Sequence, residues 1–193
     1  MQQQEEIVEL KTIRRVVVGH DPQGKAIALF DGPAVPKQRS PGGNAVVNLW
    51  VTSEFPVGLS GTADMAETKV GVPPPSNGTI FRIVDFPPAS TATAVPHGDH
   101  AKTLVAMGID PATQGYARHL NTHRTKSIDY AIVLDGEIDM LMDDSEVHLK
   151  PGDVLIQQGT NHAWVNNSAK SCRIAFILID AQSPPAWQKG WKK

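Results

Sequence analysis

The sequence predicts an all-β protein, a sandwich or barrel of short antiparallel strands. Three observations carry this. The 16 Gly and 15 Pro of the 193-residue chain break it often. Between the breaks lie short runs rich in Val, Ile and aromatic residues. Convincing helical stretches are few. Many short strands separated by turn signals at this spacing indicate two packed or closed antiparallel sheets.

Taken in order, "MQQQEEIVEL" is acidic and polar, unlike a signal or transit peptide. "RRVVVG" (14–19) and "KAIALF" (25–30) read as strands joined by "GHDPQGK" (19–25), whose Asp-Pro and Gly make a hairpin loop. "NAVVNLWVT" (44–52) and "TIFRIVDF" (79–86) are further strands. "TADMAETK" (62–69) is a candidate helix, and "HAKTLVAMG" (100–108) reads as helix or strand. "VPPPSNG" (72–78) and "FPPAS" (86–90) are loops or sheet crossings, too short and too closely flanked by apolar residues to be linkers. "DYAIVLDG" (129–136) and "EIDMLMD" (137–143) are strands, and the Asp135-Gly136 pair between them is a hairpin signal. "SEVHLK", "DVLIQQG", "HAWVNN" and "CRIAFILID" complete the set before a tail beyond Pro185. The expected division is a β extension over 1–95, a denser β unit over 96–181 and a tail over 182–193. There is no internal repeat at a fixed period.

Composition bounds the function. Apolar (40%) and charged (20%) fractions are ordinary for a globular domain, and the formal net charge is −2 with a pI near 6.4. This balance argues against nucleic acid or an anionic membrane as partner. The basic tail "WQKGWKK" is short and reads as a solvated end. No apolar run approaches the roughly 20 residues that span a bilayer. Cys172 is the one cysteine. It has no internal disulfide partner, so a cytoplasmic, reducing location is expected, and its apolar run makes it a buried, inert thiol.

One ordered set of residues carries chemistry. Gly115 is followed by "YARHLNTH", with His119, Asn121 and His123 at alternate positions, then by Asp129 and the Asp135-Gly136 turn. Further on, "KPGDVLIQQGTNHAWVNN" supplies Pro151, Gly152, Asp153, Gly159, His162 and Asn166. Residues i and i+2 of a strand share one face, so His119, Asn121 and His123 are able to point into one interior. Asp129 and His162 begin two other strands. Two imidazoles and a carboxylate with open positions suit Fe(II), and also Mn, Ni or Zn.

Over roughly residues 111–181 these motifs resemble the cupin superfamily. "PGDVLIQQGTNHAWVN" matches the family's second motif, with His162 at the metal-ligand position, Asn166 trailing it, and Gln157 where a Pro is usual. The first motif is looser. Asp129 stands where a Glu is usual, at the family's spacing to Gly136. His123 is the histidine left at the His-x-His position, with Asn121 or Thr125 as its partner depending on register. The resemblance implies a double-stranded β-helix, the cupin or jelly-roll barrel, with a metal near the mouth of a cavity. It implies one divalent metal ion (Fe, Mn, Ni or Zn) held by His123, Asp129 and His162. Asn121, and by strand parity His119, are candidate additional ligands, although His119 sits two residues too early for the family position. The 1–95 extension would pack on the barrel or on a second copy in a homodimer.

Tyr130, Gln157, Trp164 and Phe176 are candidates to line the substrate cavity, as are Met140 and Met142, with plain core packing as the alternative. Gln157 and Gln158 flank the second turn, and one is expected to face inward. Arg118 and Arg173 pair either with an acidic substrate or with surface carboxylates. His148 is expected to be exposed on a hairpin, Trp187 and Trp191 to pack the tail, and "VPHGDH" (95–100) to form a loop over the barrel mouth. The expected function is a metal-dependent enzyme for a small organic substrate, aromatic or carboxylic. Redox-neutral lyase, isomerase or decarboxylase chemistry and Fe-dependent oxygenation both fit such a site. The rival is a non-catalytic small-molecule-binding protein with a degenerate metal site. No helix-turn-helix pattern accompanies it.

Overall fold

A computed structural model describes residues 12–34, 38–39, 43–90, 100–185 and 187. The strands are β1 (Ile13–His20), β2 (Ala26–Ala34), β3 (Gln38–Arg39), β4 (Ala45–Thr52), β5 (Thr79–Phe86), β6 (Ser127–Asp135), β7 (Ile138–Leu141), β8 (Glu146–Leu149), β9 (Val154–Gln158), β10 (Ala163–Val165) and β11 (Cys172–Asp180). One α-helix, α1, runs over His100–Ala106, and short 3-10 turns cover Met65–Glu67 and Pro111–Thr113. Each strand expected from the sequence is present. The two-residue β3 had no signal.

The chain forms two compact units, one ending at Val35 and one beginning at Pro36. In the first, β1 and β2 form an antiparallel hairpin around the Asp21–Gly24 turn, where the Asp21 side chain accepts from the backbone of Gln23 and Lys25. Gly24 supplies the positive φ this turn needs. Arg14 and Asp31 face each other across the hairpin at 2.8 Å.

The second unit holds a six-stranded sheet in the order β3-β4-β5-β11-β6-β9 and a three-stranded sheet in the order β10-β7-β8. This is an all-β, two-sheet architecture of the kind the resemblance implies. β3, β4 and β5 hydrogen-bond into the same sheet as β6, β9 and β11, so the strands over 38–86 extend the sheet that carries the motif residues, while β1 and β2 form a sheet of their own. Strand pairing between β5 and β11 spans the chain, and no short-range sequence signal encodes it.

The ladder registers align one face of each of three strands. Ile80, Arg82, Val84 and Phe86 of β5 share a face, as do Asp129, Ala131 and Val133 of β6 and Ile174, Phe176 and Leu178 of β11. Most of these apolar residues, with Val51, Ile138 and Cys172, make the buried core. Cys172 is fully buried and its thiol is pushed up to about 12 by that burial, with nearby carboxylates adding to it. It is inert as a nucleophile. On the sheet, Arg173 clasps Asp85 with two hydrogen bonds of 2.6 and 2.7 Å.

Within 100–108, His100–Ala106 resolve as helix. Gly108, at φ +75°, ends it, and Met107 O accepts from Val72 N at 2.8 Å. A Cβ on Gly71 would lie 2.7 Å from Met107 O, so glycine is what lets the helix end dock on this loop. The candidate helix over 62–69 is a single 3-10 turn, capped by Asp64.

The Asp135-Gly136 signal does not make a hairpin. β6 pairs with β11 and β9, whereas β7 pairs with β10 and β8. The turn carries the chain from one sheet to the other. Gly136 has φ +72°, and a Cβ there would sit 2.5 Å from Ser171 O and 2.8 Å from Cys172 Cα. Its backbone must nestle against the start of β11 for the crossing to occur.

This yields a matched pair of substitutions. Gly136→Ala is expected to destabilise by about 3 kcal/mol or more, through the positive φ plus the clash. Gly152→Ala, also at positive φ but with nothing within 4 Å of the new Cβ, should cost roughly 1–2 kcal/mol. Urea midpoints measure both, and equal losses would remove the clash as the cause.

Candidate metal and substrate site

Two backbone hydrogen bonds build the centre of the site. His123 N donates to His162 O and His162 N donates to His123 O, each at 2.9 Å. This isolated antiparallel bridge places two sequence-distant residues directly opposite one another, so their side chains leave on one face. The imidazole centroids are 4.4 Å apart with ring planes at 52°.

The backbone also orients the rings. His123 Nδ1 lies 2.8 Å from Asn121 O, a group that only accepts, so the proton sits on Nδ1 and Nε2 keeps its electron pair. His162 Nδ1 lies 3.1 Å from Thr160 O and 2.6 Å from the Gln157 amide nitrogen. The carbonyl requires a proton on Nδ1 and the amide nitrogen an electron pair, so Gln157 competes for the tautomer of His162. Burial lowers the pKa of His123, opposed by the Asn121 hydrogen bond and reinforced by His100. Burial lowers that of His162 further, with His123 adding to it. Both rings are neutral at pH 7, the state in which imidazole ligates a metal.

Asp129 points into the same cavity from β6. In the ladder it is opposite Gln157 on β9 and Leu178 on β11. Its Oδ1 is buried with no hydrogen-bond partner. Burial pushes the carboxyl up to about 6, against a hydrogen bond from Ser127 and the attraction of Arg82. Among the described residues, no three His, Cys, Asp or Glu side chains are arranged to hold a metal ion as the chain stands. The donor chemistry nonetheless suits a divalent ion: two neutral imidazoles side by side, and a carboxylate oxygen that nothing satisfies.

The cavity measures about 850 Å³ including the open space at its mouth. Beside His123, Asp129 and His162 it is lined by Asn121, Gln157, Trp164 and Phe176. Phe86, Trp164 and Phe176 form an aromatic cluster, with Trp164 edge-on to Phe176 at 5.4 Å. Trp164 also meets the His162 ring at 6.1 Å.

Other sequence candidates lie elsewhere. Tyr130 is on the opposite face of β6 from Asp129, between Ile156 and Ile177 in the ladder, and does not line the cavity. A one-residue change of strand parity reverses the face. His119 is half-buried and accepts from Asn121 N through Nδ1, outside the cavity lining. Met140 is core, and Gln158 is exposed. His148 is half-exposed and paired with Asp139. Arg118 bonds Ser145, Met142 and Glu146, so it clips a turn. Trp187 lies under the Arg124 guanidinium, 4.1 Å from it. His97 and Trp191 fall outside the described residues.

Sequence reasoning missed one cavity residue and misread the setting of another histidine. Arg82 lines the cavity from β5, and its signal was an arginine at the inward parity of Ile80, Val84 and Phe86. His100 opens α1, with Nδ1 2.7 Å from Leu120 O and a buried Nε2 lacking a partner. It was expected in the 95–100 loop and instead begins a helix, while residues 95–99 lie outside the described residues.

Residues 107–179 match the Cupin domain family, Cupin_2. The chain is 32% identical over 189 residues to the phomopsin biosynthesis cluster protein C' of Diaporthe leptostromiformis, covering 93% of this chain and 85% of that one. The chain belongs to the cupin superfamily. It is also similar to two proteins named cupin-domain-containing oxidoreductases. One is fogC of Aspergillus ruber, 26% identical over 92% of this chain and 77% of that one. The other is srdD of Neurospora crassa, 27% identical over 90% and 78%. Within the described residues no helix of this cupin is long and apolar enough to cross a membrane.

Asp129 gives the site a measurable pH signature. Its folded-state pKa, about 6, lies above the ordinary value of 3.8, so between these values the folded cupin holds a proton that the unfolded chain has released. Stability therefore falls as pH rises through this window, by up to roughly 3 kcal/mol. Asp129→Asn removes that loss. In chelator, the variant should exceed wild type in urea midpoint above pH 7 and converge with it near pH 4. An advantage that does not grow with pH would show that the carboxyl is not the source.

Proposed function

We propose that this chain is a metal-dependent cupin enzyme acting on a small organic acid with an apolar or aromatic body. The observation that carries the reading is the His123–His162 bridge, which seats two neutral imidazoles in the wall of a cavity lined by aromatic residues. His123 and His162 would hold the ion and Asp129 would supply the carboxylate. A bound ion there supplies Lewis acidity, or with iron a place for dioxygen. The names of the Aspergillus ruber and Neurospora crassa relatives favour redox chemistry over a lyase or isomerase reaction.

The chain's own residues have defined roles in this reading. Asn121 O and Thr160 O fix the imidazole orientations. Phe86, Trp164 and Phe176 keep water from the reacting atoms and receive the apolar body. Asp129, whose carboxyl lies near 6 in the chain without an ion, would release its proton on ligating one. One observation favours a second reading. Among the described residues no three-ligand set is closed, which also suits a non-catalytic small-molecule-binding cupin.

Metal analysis decides between them. Wild type reconstituted with Fe(II), Mn, Ni or Zn is expected to retain about one ion per chain. His162→Ala should lose retention, and Asp129→Ala should weaken it by roughly 10–100-fold or more. Loaded wild type should consume oxygen or convert substrate across a panel of small aromatic and aliphatic acids. Failure to retain any ion overturns the metalloenzyme reading. Retention without turnover favours the binding protein.

A further inference from the structure

Arg82 has no role in the metal reading, and its surroundings are unusual. It is 7% exposed and lies on the inner face of β5 among apolar residues. One guanidinium nitrogen, Nη2, donates to Gly71 O at 2.8 Å and Val72 O at 3.4 Å. These carbonyls are fixed by the glycine contact between residue 71 and the end of α1. Nε is buried and has no acceptor. Asp129 attracts the charge but accepts no hydrogen bond from it among the described residues. A buried guanidinium with an unused donor is costly, because neither its charge nor its N–H is fully compensated.

The same protein shows what compensation looks like. Arg173, part-buried on the same sheet, gives Nε–H and Nη2–H to the two oxygens of Asp85. That planar fork is the geometry by which arginine receives a carboxylate. Arg82 lacks such an acceptor and instead lines the cavity, together with the aromatic cluster of Phe86, Trp164 and Phe176.

We propose that Arg82 is the anchor for the carboxylate of the cavity's ligand, a monocarboxylic acid whose apolar or aromatic body packs on Phe86, Trp164 and Phe176. The proposal rests on reading the cavity as a ligand site and is independent of whether metal is bound. The acid enters with its carboxylate on the free Nε–H side of Arg82. Arg82 is a binding residue, and it selects the acid over neutral compounds of the same shape. An acid has an acceptor for the buried N–H, and an alcohol or a hydrocarbon has no matching charge.

Calorimetry with 3-phenylpropanoate and 3-phenylpropanol tests this, on both chelator-treated and metal-loaded full-length protein. Wild type should bind the acid at least about tenfold more tightly than the alcohol in both states, since hydrogen bonds to charged groups discriminate by that much or more. Arg82→Gln and Arg82→Lys should weaken the acid by at least about tenfold and leave the alcohol unchanged. In wild type labelled at arginine Nε, the acid should shift one buried N–H resonance and the alcohol none, a readout that does not depend on a variant folding. Equal binding of acid and alcohol, no binding of either, full acid affinity in Arg82→Gln, or an unshifted resonance overturns the assignment. An acid preference that vanishes in chelator also overturns it while leaving the metal reading intact.

Discussion

Strand β11 is the constraint on which the barrel depends. It lies between β5 and β6 and hydrogen-bonds to both along almost its whole length. Through it, residues from the first half of the chain and from the motif-bearing half come to share one inner face. Phe176 is opposite Arg82 on one side and Ala131 on the other, and Leu178 is opposite Ile80 and Asp129. The cavity is therefore a product of one central strand's register. A slip by one residue would exchange the buried face for the outer one on the whole strand.

On that face the polar groups are few and expensive. His123, His162, Asp129, Gln157 and Arg82 are all buried, within walls that are otherwise largely apolar. Burial drives each titratable group toward its neutral form: the imidazoles down, Asp129 up to about 6, and Arg82 down to about 10. The structure answers part of this cost with backbone carbonyls, from Asn121 and Thr160 to the imidazoles and from Gly71 and Val72 to the guanidinium. It leaves Asp129 Oδ1 and Arg82 Nε unanswered. A fold stabilised for its own sake would pair these groups or replace them with apolar residues. Asp129 and Arg82 are the residues with such atoms that line the cavity, and the ligand reading proposed above rests on them.

The supports of the site come from different parts of the chain. His123 and His162 are joined through backbone bonds outside any regular strand, so their juxtaposition depends on main chain rather than on side-chain packing. Helix α1 contributes Thr103 to the lining, and Met107, in the turn just after it, also lines the cavity and docks by glycine contact onto the loop that holds Arg82. The helix, the loop and β5 thus form one connected support for the guanidinium.

The amino-acid sequence by itself determined the all-β class, nearly every strand, and the cupin resemblance of its second half. Alternation, turn chemistry and motif spacing are local properties, legible wherever neighbouring residues encode them. His123, Asp129, His162, Gln157, Trp164 and Phe176 were all found this way, and they share one cavity. Asp135-Gly136 shows the limit. The pair encodes a turn, but whether the next strand folds back or crosses to another sheet depends on the packing of Gly136 against Ser171 and Cys172, 35 and more residues away. Tyr130 failed because strand parity, without register, does not say which face is inward. Arg82 was missed because its place comes from β5 pairing with β11 and from a loop docked on the far end of α1. Only the tertiary structure decided these, since long-range register and close backbone contact have no counterpart in local sequence.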